Sequence, residues 1–481
     1  MIWLVFIMNK ILRNFLYLFF SNILTKLVVM LVTINIAREF GPDNFGVFNF
    51  ANVFVSYFLM LSSMGLQGLG IVKISKEKSQ INKFVNNIVS LRIVLSITSY
   101  IILIILTNLT IKDNYLKNII YITSISVLIN SISIDWVYNA IQEIKYVAYS
   151  LIINNIAYFV LTVVPIYFNI YKNIYIVPMA SIIAMFLSNI FLIYIYMKKF
   201  SMRLRLVFDI SSFKIFLKEA WPFFFSGIFA TINCNMDTLM LGFMKSNFEV
   251  GLYNSVYKLV NILTGITSII FSPMYPVFIE YFNENKINEL TLLINRVRRI
   301  IYIVVIPIIV VAITLSRETI LTLYGLNYIN ATKVFTILMI YVAIFYIREI
   351  YGYELSAWGL QKKYMNIVLI SSMYNIVGNL LLIPKYSITG AAINTLISEC
   401  INLTFMYRLS RDTLLIKYEN TFVFKVLLSG SIMILSIILI KFILNNVFVL
   451  VAFSGIIYLS LIILLKVVKI KDLISLLGGK K

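Results

Sequence analysis

The sequence predicts an all-α polytopic membrane protein of about 14 transmembrane helices, arranged as two pseudo-symmetric six-helix lobes followed by two further helices. Three observations predict it. About fourteen stretches of roughly 20 apolar residues follow one another with only short charged loops between them, and a bilayer core about 30 Å thick takes about 20 helical residues to cross. Of the 481 residues, 61% are hydrophobic and 13% charged, with a mean hydropathy of +0.93; a soluble domain carries about 25% charge. The 41 Lys and Arg residues outnumber 20 Asp and Glu, for a net charge of +21, and they stand at the ends of apolar stretches rather than in one patch. That is the pattern of topology determinants, and it argues against nucleic acid as a partner.

The spans follow in order, each bounded by polar residues. The first, 14–37, comes after Lys10 and Arg13, and the second, 45–68, runs up to Lys73, Lys76, Lys78 and Lys83. Spans 84–107 and 116–138 flank Lys112, and 146–169 starts after Lys145. Span 174–196 stops at Lys198 and Lys199, and 220–243 follows Lys214 and Lys218. Spans 251–276 and 299–316 are separated by Lys286, Arg296, Arg298 and Arg299, and 332–356 ends before Lys362 and Lys363. The series closes with 364–383, 388–407, 421–441 and 446–466. With a cytoplasmic N-terminus, alternating loops place about 28 basic residues inside and about 9 outside, so both termini are expected in the cytoplasm. The apolar Met1–Met8 segment lacks the basic flank and small-residue site of a cleavable signal, and Met8 is a plausible alternative start.

Short strings recur in the same order. Gly46-Val47-Phe48-Asn49 opens the second span and Gly251-Leu252-Tyr253-Asn254 the eighth, 205 residues further on. Ser56 then matches Asn261 and Ser63 matches Ser268; Gln142 to Tyr146 is echoed by Gln361 to Tyr364, and Pro165 by Pro384. Six spans separate the matching elements, so the halves share one orientation, related by an axis along the membrane normal. The expected organisation is an N-terminal lobe at 1–200, a second at 201–412, and two extra helices with a basic tail at 413–481.

Polar residues at membrane depth are the candidates for chemistry. Lys26, Arg92, Lys258 and Arg348 are the basic residues left inside spans once the loops are counted. Each costs about 2.5–3.5 kcal/mol at a helix centre, so such groups face protein or water. Asn254, Lys258, Asn261, Gly265, Ser268 and Ser272 recur at spacings of four and three, one face of a helix. Asn49, Asn52, Ser56 and Ser63 form the matching face of the second span, and Asn22, Lys26 and Thr33 share a stripe in the first. Two such lobes would enclose a hydrated, positively charged cavity. The bland reading of a Ser or Asn in such a stripe is a helix-packing contact. Arg92 lies near enough to its helix end to snorkel, and Arg348, beside Glu349 and ahead of Glu354, suits an ion pair as well as a ligand contact. Lys26, Lys258, Arg348, Arg92, Asn254 and Asn261 are the substrate-binding candidates. Glu399, Asp237 and Glu354 are the candidates for ion coupling, because a buried carboxyl can take up and release a proton.

Enzyme chemistry has little to stand on. The chain has no His, its two cysteines, Cys234 and Cys400, lie in apolar segments, and no phosphate-cradling glycine loop is present. No cofactor and no metal are expected.

Several strings resemble the bacterial polysaccharide flippases. Ala37-Arg38-Glu39-Phe40-Gly41-Pro42-Asp43-Asn44-Phe45-Gly46 is similar to their "AR-x-LGP-x-x-YG" segment, and Asp135-Trp136-Val137-Tyr138-Asn139-Ala140-Ile141-Gln142-Glu143 to "DW-x-x-QG-x-E". Asp237 to Gly242 with Val250 to Tyr253 resembles "D-x-x-x-LG … VG-x-Y", and Leu382-Ile383-Pro384 with Gly390-Ala391-Ala392 resembles "IP … GAA". Asn139-Ala140 in place of Gln-Gly, and Phe40 in place of Leu, are departures. The resemblance is to the multidrug/oligosaccharide-lipid/polysaccharide exporter superfamily, of the Wzx O-antigen or capsule-unit type. It implies movement of an undecaprenyl-pyrophosphate-linked oligosaccharide from the cytoplasmic to the outer leaflet of the inner membrane by alternating access. It also implies membrane lipids as partners, proton or sodium counter-movement, and association with a polysaccharide polymerase and chain-length regulator. The alternatives are a multidrug antiporter or a lipid II flippase of the same superfamily, and, from another class, a membrane polysaccharide polymerase. No loop exceeds about 25 residues, which speaks against the last.

Overall fold

A computed structural model of the chain describes residues 2–199, 203–271, 274–414, 416, 418–443 and 446–467. Among them there is helix and connection only. The α-helices are α1 (Ile2–Ser63), α2 (Leu66–Lys76), α3 (Ile81–Thr110), α4 (Asn114–Asn130), α5 (Asp135–Ala140), α6 (Ile144–Tyr167), α7 (Ile176–Lys199), α8 (Ile210–Met244) and α9 (Asn247–Thr264). They continue with α10 (Thr267–Phe271), α11 (Tyr275–Asn283), α12 (Ile287–Thr314), α13 (Ser316–Tyr324), α14 (Thr332–Ala357), α15 (Gln361–Thr413), α16 (Thr421–Lys441) and α17 (Val447–Leu464). Among the described residues nine helices are long and apolar enough to cross a membrane, ten if the bent α8 counts as one span. Two of these, Leu24–Lys76 and Gln361–Thr413, run 53 residues each, about 80 Å of helix at 1.5 Å per residue and enough for two crossings of a core of about 30 Å. The predicted fourth and eighth spans are covered by α4 with α5 and by α9 to α11. The total is consistent with fourteen.

The breaks have local causes. Within α1, Gly41 takes φ 72°, a left-handed conformation that a Cβ resists, and Pro42 follows with no N–H to leave unpaired. Within α15 the break is at Ser387, φ 50°, three residues after Pro384. The helix of the eighth span ends at Thr264, after which Ile266 N–H donates to the Leu263 carbonyl and α11 restarts with proline in its first turn. This corrects the expected polar stripe. Asn254, Lys258 and Asn261 share one helix, Ser268 stands on the separate α10, and Ser272 lies outside the described residues. The aqueous start of α8 is held by Asp209, whose carboxylate accepts from the Ser211 N–H and both neighbouring hydroxyls; these bonds keep its pKa at about 2.

The chain divides into two compact units, Met1–Asn254 and Ser255–Lys481, the boundary falling inside α9. In the first unit, Trp136 is 1% exposed, and a Cβ at Gly70 would lie 2.3 Å from its ring, so glycine there makes room for the indole. In the second, Val310, Phe422, Met433, Ile437 and Leu450 pack α12, α16 and α17 together. Also within the first unit, the opening glycines of the two repeated strings meet. A Cβ at Gly46 would lie 1.8 Å from the Asn247 carbonyl oxygen, and one at Gly251 would lie 1.9 Å from the Pro42 carbonyl oxygen. Pro42 and Asn247 are again 205 residues apart. The contact is thus reciprocal, as two symmetry-related surfaces require.

Gly46→Leu is expected to force α1 and α9 apart and lower the unfolding temperature of detergent-solubilised protein, by overpacking of about 1–3 kcal/mol. Gly455→Ala on α17, where a Cβ meets nothing within 4 Å, should leave that temperature unchanged or slightly raised.

Candidate functional site

The polar faces of α1 and α9 are built alike. The Asn49 amide donates to the Phe45 carbonyl at 2.7 Å, and the Asn254 amide to the Val250 carbonyl at 2.9 Å, each one turn back along its own helix. Asn49 is 2% and Asn254 4% exposed. Beyond them exposure grows: Asn52, Ser56 and Ser63 on α1 and Lys258 on α9 are half-buried, and Asn261 is exposed. Along each helix, exposure thus grows away from the glycine crossing. The Asn254 side-chain oxygen Oδ1 also accepts from the Thr238 hydroxyl at 3.3 Å. With both ends of its amide engaged inside the protein, Asn254 shapes the face and offers a ligand little.

Lys258 stands in the middle of that face. Among the described residues its ammonium has neither a hydrogen-bond partner nor an ion pair, and the same is true of Lys26, also half-buried. An ammonium carries three donors. At membrane depth only water, a headgroup or a substrate can satisfy them.

The arginines are placed otherwise. Arg92 is 0% exposed, and its guanidinium donates to the Ser133 carbonyl at 2.7 Å and to the Asn130 carbonyl. It thereby closes the C-terminal end of α4, where helix carbonyls lack partners. Ser133 in turn donates to Asp135 at 2.7 Å, so Arg92 supports the Asp135-Trp136 string. The side chain is sealed rather than snorkelling. Arg348, 7% exposed, donates through Nε to Glu399 at 2.7 Å and through Nη1 to Glu349. Asn402 holds the other Glu399 oxygen at 3.2 Å. Glu399 is therefore the partner of Arg348, a link between α14 and α15.

Asp237, 9% exposed, accepts from the Tyr253 hydroxyl at 2.6 Å. Glu354 is 0% exposed, and its Oε2 accepts from Ser410 at 2.6 Å and from Tyr418 at 3.4 Å. Its Oε1 has no partner among the described residues. Arg298, which sequence reasoning counted as a loop charge, is 5% exposed; it sits 4.3 Å over the Tyr418 ring and donates to Asn420 at 3.2 Å. Nothing in the run Arg296 to Arg299 marks it out from its neighbours.

With this geometry in hand, comparison with known proteins adds the following. The sequence profile described as a polysaccharide biosynthesis protein matches residues 11–282. The chain is similar to the capsular polysaccharide biosynthesis protein CapF of Staphylococcus aureus, 23% identical over 399 residues, covering 82% of this chain and 98% of that protein. It is also similar to a putative O-antigen transporter of Escherichia coli (strain K12), 24% identical over 422 residues, covering 84% of this chain and 97% of that protein. Its fold matches the lipid II flippase MurJ in an inward closed conformation, with a TM-score of 0.77 at 18% identity over 96% of this chain and all (100%) of that one. A multidrug resistance MATE family transporter in an inward-facing conformation gives 0.62 at 11% identity, covering 81% of this chain and 94% of that one.

Arg348→Met should strand Glu349 and Glu399 as unpaired buried carboxylates and destabilise the protein by about 3–5 kcal/mol. Thermal unfolding in detergent reads this, and pairing the change with Glu399→Gln should recover part of the loss.

Proposed function

We propose a function from one premise: the chain belongs to the polysaccharide biosynthesis protein family. It is a multi-pass membrane transporter, and the cargo best suited to its site is a lipid-linked oligosaccharide carrying a pyrophosphate. The fold alone does not choose the cargo, since the solved structures it resembles include a lipid II flippase and multidrug transporters. The observation that carries the reading is Lys258. Among the described residues it is a cation with no counter-charge, on a polar face that grows more exposed toward the C-terminal end of α9. A pyrophosphate supplies the acceptors that this ammonium lacks, and charge-assisted bonds of that kind are about twice as strong as neutral ones. A cationic drug would be repelled there.

On the same helix, the exposed Asn261 offers a neutral donor for phosphate or sugar. The Arg348–Glu399 pair joins α14 to α15 and Arg92 closes the end of α4, so these charges are spent on holding other helices rather than on cargo. With both termini in the cytoplasm, as the count of basic loop residues argues, the more exposed end of the α9 face lies on the cytoplasmic side. Substrate is then taken from the cytoplasmic leaflet of the inner membrane and released at the outer one. The two lobes expected from the duplication supply the alternating access, and the lipid tail stays in the bilayer. With the cell interior negative, outward movement of each negative charge is favoured by about 2.3 kcal/mol per 100 mV. Protonation of Glu354, whose Oε1 has no partner among the described residues, is the counter-ion step of this reading. Delivery to a surface polymerase completes the proposed role.

Lys258→Ala is expected to lower surface polysaccharide by about tenfold or more, the loss of one charged hydrogen bond, at unchanged protein abundance. Lys258→Arg should retain most of it. Lectin or antibody staining of cells complemented with each variant measures this; an unaffected surface polymer would falsify the assignment.

A further inference from the structure

Beside the Arg348 pair lies a cavity of about 190 Å³ lined by Tyr275, Glu349, Gly352, Tyr353, Ser356 and Tyr364. Its walls are preorganised. Phe271 stacks on Tyr353 with ring centroids 4.4 Å apart and planes 7° from parallel, and Tyr275 meets Tyr353 edge-on at 5.6 Å. Gly352 is what lets the Tyr364 ring in: a Cβ there would lie 3.2 Å from Tyr364 Cε2 and 3.7 Å from Arg348 Nη1. The Ser356 hydroxyl donates back to the Gly352 carbonyl at 2.8 Å. Glu349 gives one oxygen to Arg348, and its side chain keeps 15% exposure on the cavity wall.

The charges around the cavity decide what it can hold. One guanidinium faces two carboxylates, Glu349 and Glu399, so the cluster has no positive charge to spare. A pyrophosphate is repelled. An apolar ligand would strip water from Glu349 and from hydroxyls without replacing it. A ring with hydroxyls on its edge and C–H groups on its face satisfies both sets of walls. The size agrees, being below the roughly 300–1,000 Å³ of sites for drug-sized ligands and suited to one ring.

We infer that this cavity is a sugar subsite that takes a single neutral hexose ring, its hydroxyls donating to the Glu349 carboxylate and its C–H face lying against tyrosine. The inference rests on the flippase reading for its cargo and adds a division of labour. Lys258 takes the phosphates, and the Glu349 cavity takes a sugar of the same substrate. Sugar selectivity then resides in α11, α14 and the start of α15.

The test is saturation-transfer NMR on the full chain in detergent, with free glucose, galactose, N-acetylglucosamine and rhamnose as probes and choline as a cationic competitor. At least one sugar should receive saturation that choline does not displace. Glu349→Gln and Tyr353→Leu should each weaken it about fivefold, the loss of one hydrogen bond or one ring contact. Glu349→Gln leaves Arg348 paired with Glu399, so its unfolding temperature should hold. Should Tyr353→Leu lose folded protein, Tyr275→Leu on α11 reads the same ring wall. Saturation of none of the four sugars, saturation indifferent to these variants, or Glu349-dependent saturation of choline instead would overturn the subsite. The wider reading is separated by deleting the gene: surface polymer lost on deletion but unaltered by a subsite that fails these tests keeps the flippase and removes the cavity, whereas polymer intact on deletion removes the flippase.

Discussion

Hydrocarbon offers no hydrogen bonds, and that constraint orders everything in this molecule. A polar group at depth has to be satisfied by its own helix, by a neighbouring one, or by something that enters. Most side chains follow the first two routes. Asn49 and Asn254 bond one turn back along their helices, Arg92 closes the end of α4, and Arg348 spans α14 and α15 to reach Glu399. The residues left over are few, and function is read from them.

Arginine and lysine divide along that line for a chemical reason. A guanidinium presents five donors in a rigid fork and can engage several carbonyls or carboxylates at once, so burial with multiple partners suits it. Arg92, Arg298 and Arg348 are all 7% exposed or less, and all engage acceptors of the protein. An ammonium is a compact point charge on a flexible stem, better left to reach water or a mobile ligand. Lys26 and Lys258 keep that freedom. A cargo that must be bound and then released is served better by such a group than by a locked fork.

How much of this was legible beforehand follows from the range of each interaction. Period and composition are local, so the helical class and the run of spans could be read directly; the break at Gly41-Pro42 is equally local. The matching strings Gly46 to Asn49 and Gly251 to Asn254 were visible, and the structure adds that their opening glycines approach each other's helices reciprocally. The adjacent Arg348–Glu349 pair could be expected, but the long-range pairings were not visible. Arg92 meets carbonyls 38 and 41 residues away, Arg348 meets Glu399 51 residues away, and Arg298 reaches Asn420 122 residues away. No periodicity encodes such distances. Nor does a lone tyrosine announce that it shares a cavity with two others from separate helices.

A carrier for a lipid-linked sugar faces opposite demands at the two parts of its cargo. The phosphates need positive charge, yet a site too rich in fixed cations would hold them and stop turnover. In the proposed role a lysine meets this demand because its flexible stem lets the ammonium follow a moving headgroup. The sugar is neutral and gains little from net charge, but it needs acceptors held in place and flat apolar faces. The carboxylates around Arg348 supply acceptors that the guanidinium fork holds in place. The same ion pair that joins α14 to α15 therefore prepares a surface on which a hydroxyl-bearing ring can rest. Stability and recognition are two outcomes of one buried arrangement of charge.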